Sequence, residues 1–314
     1  LGRIAPAGLL GGAMSLDPEA ARGAMASKVG EALGLGPEGA ALGAVALAVA
    51  NVRRAVEAMT MARGRDPREF VLVAAGGAGP LIACELAAEL GINEVIVPTA
   101  PGNFSAFGLV ASDLRRDWVR TRITLACGER LPELAAEFRA LEDKAQQWLT
   151  ESLEPTARVT LLRRIAARYQ GQDYELDVEV PSGQLSPVTL GQVIEAFHEA
   201  HQARYGYHLQ TQPVEFVDVM VSAVGAVTRP HTAVPADGKQ GGAAQTGARP
   251  VLADGQEQVE EWPVLDRARL SGGDGVAGPT IIEQYDSTIY LPRGCIARVV
   301  DGGCLRVATG GSRG

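Results

Sequence analysis

The first 125 residues alternate between strand-like and helix-like spacing of their apolar positions. Residues 70–75 and 94–97 are short, nearly continuous apolar runs, a pattern typical of strands buried on both faces of a parallel sheet. Between them lie a glycine-rich turn and a segment over 80–90 with helical spacing. This order predicts a parallel strand pair with a right-handed crossover. Upstream, an alanine-rich stretch after Asp17 and a long segment over 37–64 predict two helices.

Residues 126–230 combine helices and strands in a different order. An amphipathic spacing over 131–153 predicts a helix with one apolar face. Apolar and acidic residues alternate over 174–180, as in a strand with one face in water. A second helix over 189–204 and a strand over 214–227 follow. The region is therefore predicted to be of α+β type.

The last third begins with a segment that lacks large apolar side chains. Residues 229–248 contain mainly Pro, Gly, Ala, Thr and Gln, which predicts a flexible linker or long loop. Short β segments separated by Gly and Pro turns follow, as in a small antiparallel sheet or barrel. We therefore predict two domains, with residues 1–125 of α/β type. The second, residues 126–314, is predicted to be an accessory α+β domain with a β-rich C-terminal end.

Composition and charge exclude several classes of protein. The chain has 314 residues, 46% of them hydrophobic, which is too apolar for a disordered protein. It carries 29 basic and 37 acidic residues and a net charge of −8, which argues against a nucleic-acid partner. No run approaches the ~20 uncharged residues of a membrane span, and no basic-then-apolar leader opens the sequence. Four scattered cysteines suit a reducing compartment, so a cytoplasmic location is expected.

The turn formed by Gly76, Gly77, Ala78, Gly79 and Pro80 is the strongest chemical feature. Consecutive glycines allow a ligand to approach the backbone closely, and the following helix start offers free N–H groups. The turn is not a Walker A loop, because no Gly-Lys-Ser/Thr follows it, and it lacks the third glycine of a dinucleotide fingerprint. Two interpretations remain open, a nucleotide-binding turn and a tight strand-to-helix turn without a ligand.

A histidine pair in the α+β region also allows two interpretations. His198 and His201 are three residues apart on the helix predicted over 189–204, so they share a face and could bind a metal. Their spacing is one residue short of the zincin H-E-x-x-H motif, and no third ligand is evident. A partly exposed polar helix face is favoured, and no metal site is predicted.

Two further groups of polar residues follow strands. Glu283, Asp286 and Ser287 lie close together at a strand end, where they could perform acid–base chemistry; a turn capped by Asp and Ser hydrogen bonds is favoured. Asn103 and Ser105 follow the second buried strand, at the sheet edge where α/β proteins tend to hold ligands. Both are candidate ligand contacts, whereas no catalytic residue is assigned.

A series of short motifs runs through nearly the whole chain. They occupy residues 76–80, 101–102, 105–108, 117–121, 169–172, 197–201, 204–206, 278–283, 286–288, and Pro292 with Gly294. Each motif is weak by itself, but their order is specific. Together they resemble the hydantoinase A / 5-oxoprolinase family, which includes the ATP-using subunits of acetone and acetophenone carboxylases.

The resemblance implies two actin-like (sugar kinase/Hsp70-like) halves that enclose ATP, plus an accessory domain. In such folds a glycine turn of this kind forms the adenosine-side wall, a role carried over here to Gly76 through Pro80. The family's Asp-x-Gly-Gly-Thr phosphate motifs are absent from this sequence. Leu1, in place of a starting Met, also fits a segment just after the middle of a full-length member. The resemblance therefore covers the C-terminal half only, and magnesium ligands are expected in the N-terminal half.

The family's chemistry gives the expected function and partners. ATP is expected to phosphorylate the carbonyl oxygen of a cyclic amide, so that water can open the ring. This chain would be inactive without the N-terminal half. A hydantoinase B-type subunit and oligomeric assembly are implied by the family alone, and a membrane partner is not expected. The alternatives are a non-catalytic binding or assembly subunit, and the ATP-using subunit of a ketone carboxylase.

Overall fold

The computed structural model describes residues 1–6, 8–61, 63–152, 158–228, 244–253 and 258–310. It is a mixed α/β structure with two compact units. The first unit contains residues 1–109 together with the described residues from 244 onward, and the second contains residues 110–228.

The first 111 residues contain the predicted strand–turn–helix–strand motif. Their elements are α1 (Pro18–Met25), α2 (Glu31–Leu33), α3 (Pro37–Met61), β1 (Leu72–Val73), α4 (Gly79–Leu90), β2 (Glu94–Val97) and α5 (Phe104–Ala111). β1 and β2 are parallel, with Leu72 opposite Val95 and Val73 opposite Ile96, which confirms the predicted strand pair. A helix therefore begins directly after the glycine turn, as expected.

β1 is shorter and more exposed than its apolar sequence predicts. Only Leu72 and Val73 form the strand, and the side chain of Val73 is 51% exposed. The reason is position, because β1 is an edge strand of its sheet and pairs with β2 alone among the described strands. The prediction of burial on both faces was therefore wrong.

The second unit is a four-stranded sheet with two long helices. Its elements are β3 (Leu114–Leu125), α6 (Leu131–Ser152), β4 (Val159–Tyr169), β5 (Leu176–Val180), α7 (Pro187–Tyr205) and β6 (Val214–Gly225). The strands are antiparallel, in the order β3-β6-β4-β5. Phe138 of α6 and Phe197 of α7 are fully buried in its core. The predicted helices and the α+β character of this region are confirmed.

The C-terminal strands complete the first unit. They are β7 (Gln245–Val251), β8 (Glu260–Asp266), β9 (Gly275–Ala277), β10 (Thr280–Gln284), β11 (Ser287–Leu291), β12 (Cys295–Val299) and β13 (Leu305–Thr309). One sheet has the order β1-β2-β13-β12-β9 and another the order β11-β10-β8-β7. β13 lies antiparallel to β2, with Val307 opposite Val95, and both side chains are fully buried.

This pairing divides the chain differently from the sequence-based domains 1–125 and 126–314. The C-terminal strands lie in the first unit, because apolar residues of β12 and β13 fill the same core as those of α4 and β2. Of the predicted linker 229–248, residues 229–243 lie outside the described residues, whereas 245–248 belong to β7. The predicted antiparallel sheet is also corrected, because β8 and β10 are parallel.

One described helix, α3, is long and apolar enough to cross a membrane by length and composition alone. A core helix of a soluble protein passes the same test, so length and composition alone do not identify a membrane span. The sequence-based expectation concerned an uncharged run of ~20 residues, and α3 is not such a run because it contains Arg53 and Arg54.

Candidate functional site around the glycine turn

The glycine turn connects β1 to α4 in a backbone shape that requires glycine. Gly76 has a φ of +82°, in the left-handed region that side chains disfavour. Its N–H donates to the carbonyl oxygen of Pro101 at 2.7 Å, which joins the turn to the loop after β2. Gly77 and Ala78 are exposed, whereas Pro80 is buried in the first turn of α4. The exposed backbone is accessible to a ligand.

The N-terminus of α4 has no side-chain cap. Ala78 occupies the N-cap position and supplies no side-chain hydrogen bond, and Pro80 follows at the helix start. Pro80 has no N–H, and the Leu81 N–H donates to the Ala78 carbonyl oxygen at 3.1 Å, so the helix start offers mainly the positive end of its dipole. Such a start favours a negatively charged or hydrogen-bond-accepting group.

The loop after β2 also contacts the turn between β10 and β11, because Gly102 of the loop bonds to Asp286 of the turn. The Gly102 N–H donates to Asp286 Oδ2 at 2.8 Å, and Gln284 donates from Nε2 to Asp286 Oδ1. A Cβ on Gly102 would lie 2.8 Å from the Cβ of Asp286, closer than packed atoms allow. The carbonyl oxygen of Asp286 lies 3.5 Å from the position of a Cβ on Gly77. The loops after β1 and β2 are therefore held against the β10–β11 turn.

Two buried polar atoms of that turn have no hydrogen-bond partner among the described residues. They are Ser287 Oγ and Gln284 Oε1. Ser287 is only 6% exposed, so its hydroxyl is withdrawn from water without compensation inside the unit. An unmet buried hydroxyl costs about 1–3 kcal/mol unless a ligand or water completes it.

Glu283, Asp286 and Ser287, for which acid–base chemistry was the less favoured interpretation, do not form one hydrogen-bonded cluster. Glu283 pairs with Arg249 of β7, which is largely buried, so this carboxylate is already neutralised. Asp286 binds the backbone of Gly102, as a capping carboxylate would, but in another loop rather than in its own turn. Among the described residues, the Ser287 hydroxyl forms no hydrogen bond with either carboxylate.

Asn103 and Ser105 lie at the junction of the β2 loop and α5. Asn103 ends a short 3₁₀ turn, Pro101–Asn103, and Ser105 is in the first turn of α5. Both residues are exposed, two and four positions after the Pro101 carbonyl that holds the glycine turn. Their role as ligand contacts stays a prediction.

The histidine pair is buried in the second unit. His198 and His201 are 7% and 2% exposed, so the expected polar, partly exposed helix face was wrong. His198 Nδ1 lies 2.7 Å from the hydroxyl of Tyr169, and that hydroxyl accepts the N–H of Leu209. His201 Nδ1 lies 2.7 Å from the carbonyl oxygen of Tyr207. The two imidazoles thereby tie α7 to β4 and to the loop after α7.

The surroundings of His198 also affect its protonation. Burial lowers its pKa, Glu195 opposes this effect, and His208 and His201 reinforce it. The Tyr169 hydroxyl accepts the Leu209 N–H and lies 2.7 Å from His198 Nδ1, and the lowered pKa favours the neutral imidazole. Within the described ranges, no group of three or more His, Cys, Asp or Glu side chains could hold a metal ion.

Two family models match consecutive parts of the chain. The model described as hydantoinase/oxoprolinase matches residues 1–118, and the model described as hydantoinase/oxoprolinase C-terminal domain matches residues 126–303. The matches divide the sequence near the start of the second unit.

Curated relatives carry related names. Caprolactamase subunit alpha of Pseudomonas jessenii is 31% identical over 94% of the chain and 43% of its own length. The acetone carboxylase beta subunit of Xanthobacter autotrophicus is 26% identical over 94% of the chain and 42% of its own length. 5-oxoprolinase 1 of Arabidopsis thaliana is 24% identical over 85% of the chain and 21% of its length. The chain thus spans less than half the length of these relatives.

Two solved structures are similar over almost the whole chain. Nucleotide-free acetone carboxylase matches with a TM-score of 0.79 at 23% identity, over 98% of the chain and 45% of its own. The ATP-dependent caprolactamase of Pseudomonas jessenii matches with a TM-score of 0.74 at 28% identity, again over 98% and 45%. The first likeness concerns the fold alone.

Proposed function

Since the chain belongs to the hydantoinase/oxoprolinase family, we propose that it provides the adenosine-binding side of an ATP-dependent enzyme of this type. One observation carries the proposal. The exposed glycine turn at an uncapped helix start is fixed between two other loops, through Gly76 to Pro101 and through Gly102 to Asp286. Backbone held in this way can approach a nucleotide closely without rearrangement.

We further propose an actin-like arrangement for the nucleotide unit. Its support is the parallel β1–α4–β2 motif with glycines at the strand-to-helix turn, together with the similarity to the two solved structures. In this arrangement Gly76 through Pro80 line the adenosine side. Asn103 and Ser105, on the neighbouring loop, are further contacts of the ligand.

The proposed reaction is the opening of a cyclic amide. ATP would transfer its γ-phosphoryl group to the carbonyl oxygen, which makes the carbon a better electrophile for water. Support comes from the names of two relatives, caprolactamase and 5-oxoprolinase, since caprolactam and 5-oxoproline are both cyclic amides. The acetone carboxylase beta subunit supports a second candidate, in which the α-carbon of an ATP-activated ketone enol attacks the carbon of a carboxyl donor.

The phosphate side of the site would come from another polypeptide segment. The chain covers only 42–43% of the length of the caprolactamase alpha and acetone carboxylase beta subunits. We propose that the remainder of a full-length family chain, or a hydantoinase B-type subunit, completes the enzyme. Relatives named as alpha and beta subunits support such an assembly. A non-catalytic binding or assembly role is the outcome if no nucleotide binds.

Calorimetric titration of the 314-residue chain with adenosine and ATP tests the proposal. We expect binding in the millimolar range, about −4 kcal/mol, because only one side of the site is present. Gly77→Val places a branched side chain on the exposed turn and should weaken binding about tenfold or more. Gly247→Val is the matched control, since a Cβ there meets nothing within 4 Å. Rapid ATP hydrolysis by the chain alone with a cyclic amide would contradict the proposed division of roles.

A further inference from the structure

The turn between β10 and β11 stands directly beside the glycine turn. The Asp286 carbonyl oxygen is 3.5 Å from the Cβ position of Gly77, and its carboxylate holds the Gly102 N–H. The flanking residues Tyr285 and Ser287 are therefore placed next to the ligand-accessible backbone.

Ser287 faces the start of α4. Residues 287, 289 and 291 share one face of β11 because side chains alternate along a strand. Ile289 and Leu291 on that face are buried in the same core as Ala83 and Cys84 of α4. Ser287 begins this face and directly follows Asp286, whose carbonyl oxygen is 3.5 Å from the Cβ position of Gly77, so Ser287 belongs to the end of the face nearest the glycine turn. It is 94% buried, as its 6% exposure implies, and unpartnered among the described residues.

A buried hydroxyl without a partner and a helix start without a cap thus occur at the same place. Each observation is independent, since one concerns a side chain and the other the backbone. Together they favour a ligand oxygen that can accept hydrogen bonds from both. A sugar–phosphate oxygen has this chemistry.

Tyr285 provides a flat apolar surface at the same turn. Its side chain is 68% exposed although both neighbouring residues are partly or largely buried. One edge of the ring lies against Gly11, where a Cβ would be 3.4 Å from Cδ2. The segment around Gly11 therefore supports the ring from one side and leaves most of it in water. Exposed aromatic rings are typical platforms for bases.

We infer that the β10–β11 turn forms a further wall of the nucleotide site. Tyr285 stacks on the purine, and Ser287 donates its hydroxyl proton to a sugar–phosphate oxygen beside the α4 start. The inference rests on the proposed function and deepens it, because it assigns base recognition to a segment about 200 residues from the glycine turn. The hydrogen bond between Asp286 and Gly102 holds the turn that carries Tyr285 and Ser287.

Calorimetric titration with ATP and with adenosine, which carries the base without phosphates, tests the inference. Tyr285→Ala should raise both dissociation constants about tenfold, because a stacked base is lost. Tyr285→Phe keeps the ring and should bind as the unaltered chain does. Tyr174→Ala, at a 77% exposed tyrosine of the second unit, is the matched control.

Ser287→Ala separates binding from folding. It should weaken ATP binding about fivefold, while thermal stability is unchanged or higher, because an unmet buried hydroxyl is removed. Normal ATP affinity in both Tyr285→Ala and Ser287→Ala, with Gly77→Val defective, would overturn the inference and leave the proposed function standing. If the unaltered chain bound no nucleotide, the proposed function and the inference would fail together.

Discussion

The carboxylate of Asp286 accepts the backbone N–H of Gly102 at 2.8 Å, although 184 positions separate the two residues in sequence. This bond connects the loop after a parallel strand to a hairpin turn that the chain reaches only near its end. A charged acceptor on a backbone donor is stronger than a neutral pair. The geometry of the candidate site therefore depends on contacts between distant segments.

Gly102→Ala should destabilise the first unit by about 1–3 kcal/mol, because the new methyl group would lie within 2.9 Å of Asp286 atoms. Urea unfolding followed by circular dichroism measures the change. Gly43→Ala in α3 is the control, since its Cβ meets nothing within 4 Å and alanine favours a helix. Equal stability of Gly102→Ala and the unaltered chain would contradict the close approach.

Glu85→Ala should cost about 2–4 kcal/mol of stability because it leaves a buried guanidinium unpaired. Arg3 is 4% exposed, forms two hydrogen bonds with Glu85 at 2.7 and 2.8 Å, and lies 4.0 Å from the centre of the Tyr290 ring. Glu89→Ala, one turn further along α4, should cost less than about 1 kcal/mol, because Glu89 and Arg53 are both exposed. If thermal unfolding showed a similar loss of stability for Glu85→Ala and Glu89→Ala, burial of the ion pair would not determine its contribution.

The second unit should lose stability as the pH falls from about 7.5 to about 5.5. Burial lowers the pKa of His198, so the unfolded chain takes up a proton near the ordinary histidine value that the folded chain resists. Stability therefore rises with pH through this window. His198→Gln should reduce the change in melting temperature between the two pH values. An unaltered pH dependence in this variant would assign the effect to other groups.

Thiol labelling should distinguish two pairs of cysteines. Cys84 and Cys295 are buried, and hydrogen bonding to Cys295, with burial, raises the pKa of Cys84. Cys127 and Cys304 are half-buried and accessible to a small alkylating reagent. Mass spectrometry after brief iodoacetamide treatment should find label on Cys127 and Cys304 in the native chain, and on all cysteines in denaturant. Rapid labelling of Cys84 in the native state would contradict the packing of α4.

Local elements were predictable because their signals are local. The run at 94–97 is β2, the glycine turn leads into α4 as expected, and the parallel pairing of β1 with β2 followed from the strand–turn–helix–strand order. Helix α7 was also predictable from its spacing. These features depend on neighbours within a few residues or within one crossover.

Long-range pairing was not predictable from the sequence alone. Val307 pairs opposite Val95, and no residue near either position specifies the other, so the sequence did not predict that the C-terminal strands share a sheet with β2. The burial of His198 was missed because its polar partners, Tyr169 and Leu209, come from separate segments. The contact of Asp286 with Gly102 was not predictable for the same reason, because the two residues lie in separate segments.

The pairing of β2 with β13 has a consequence for the order of folding during synthesis. The second unit is complete once residue 228 has been made, whereas the first unit still lacks a central strand of its sheet until residue 309. Chains emerge N-terminus first, and compact units fold as soon as their parts are available. The inserted unit can therefore reach its native state before the unit that surrounds it in sequence. The sheet that contains β1 and β2 is completed only when β13 has been synthesised.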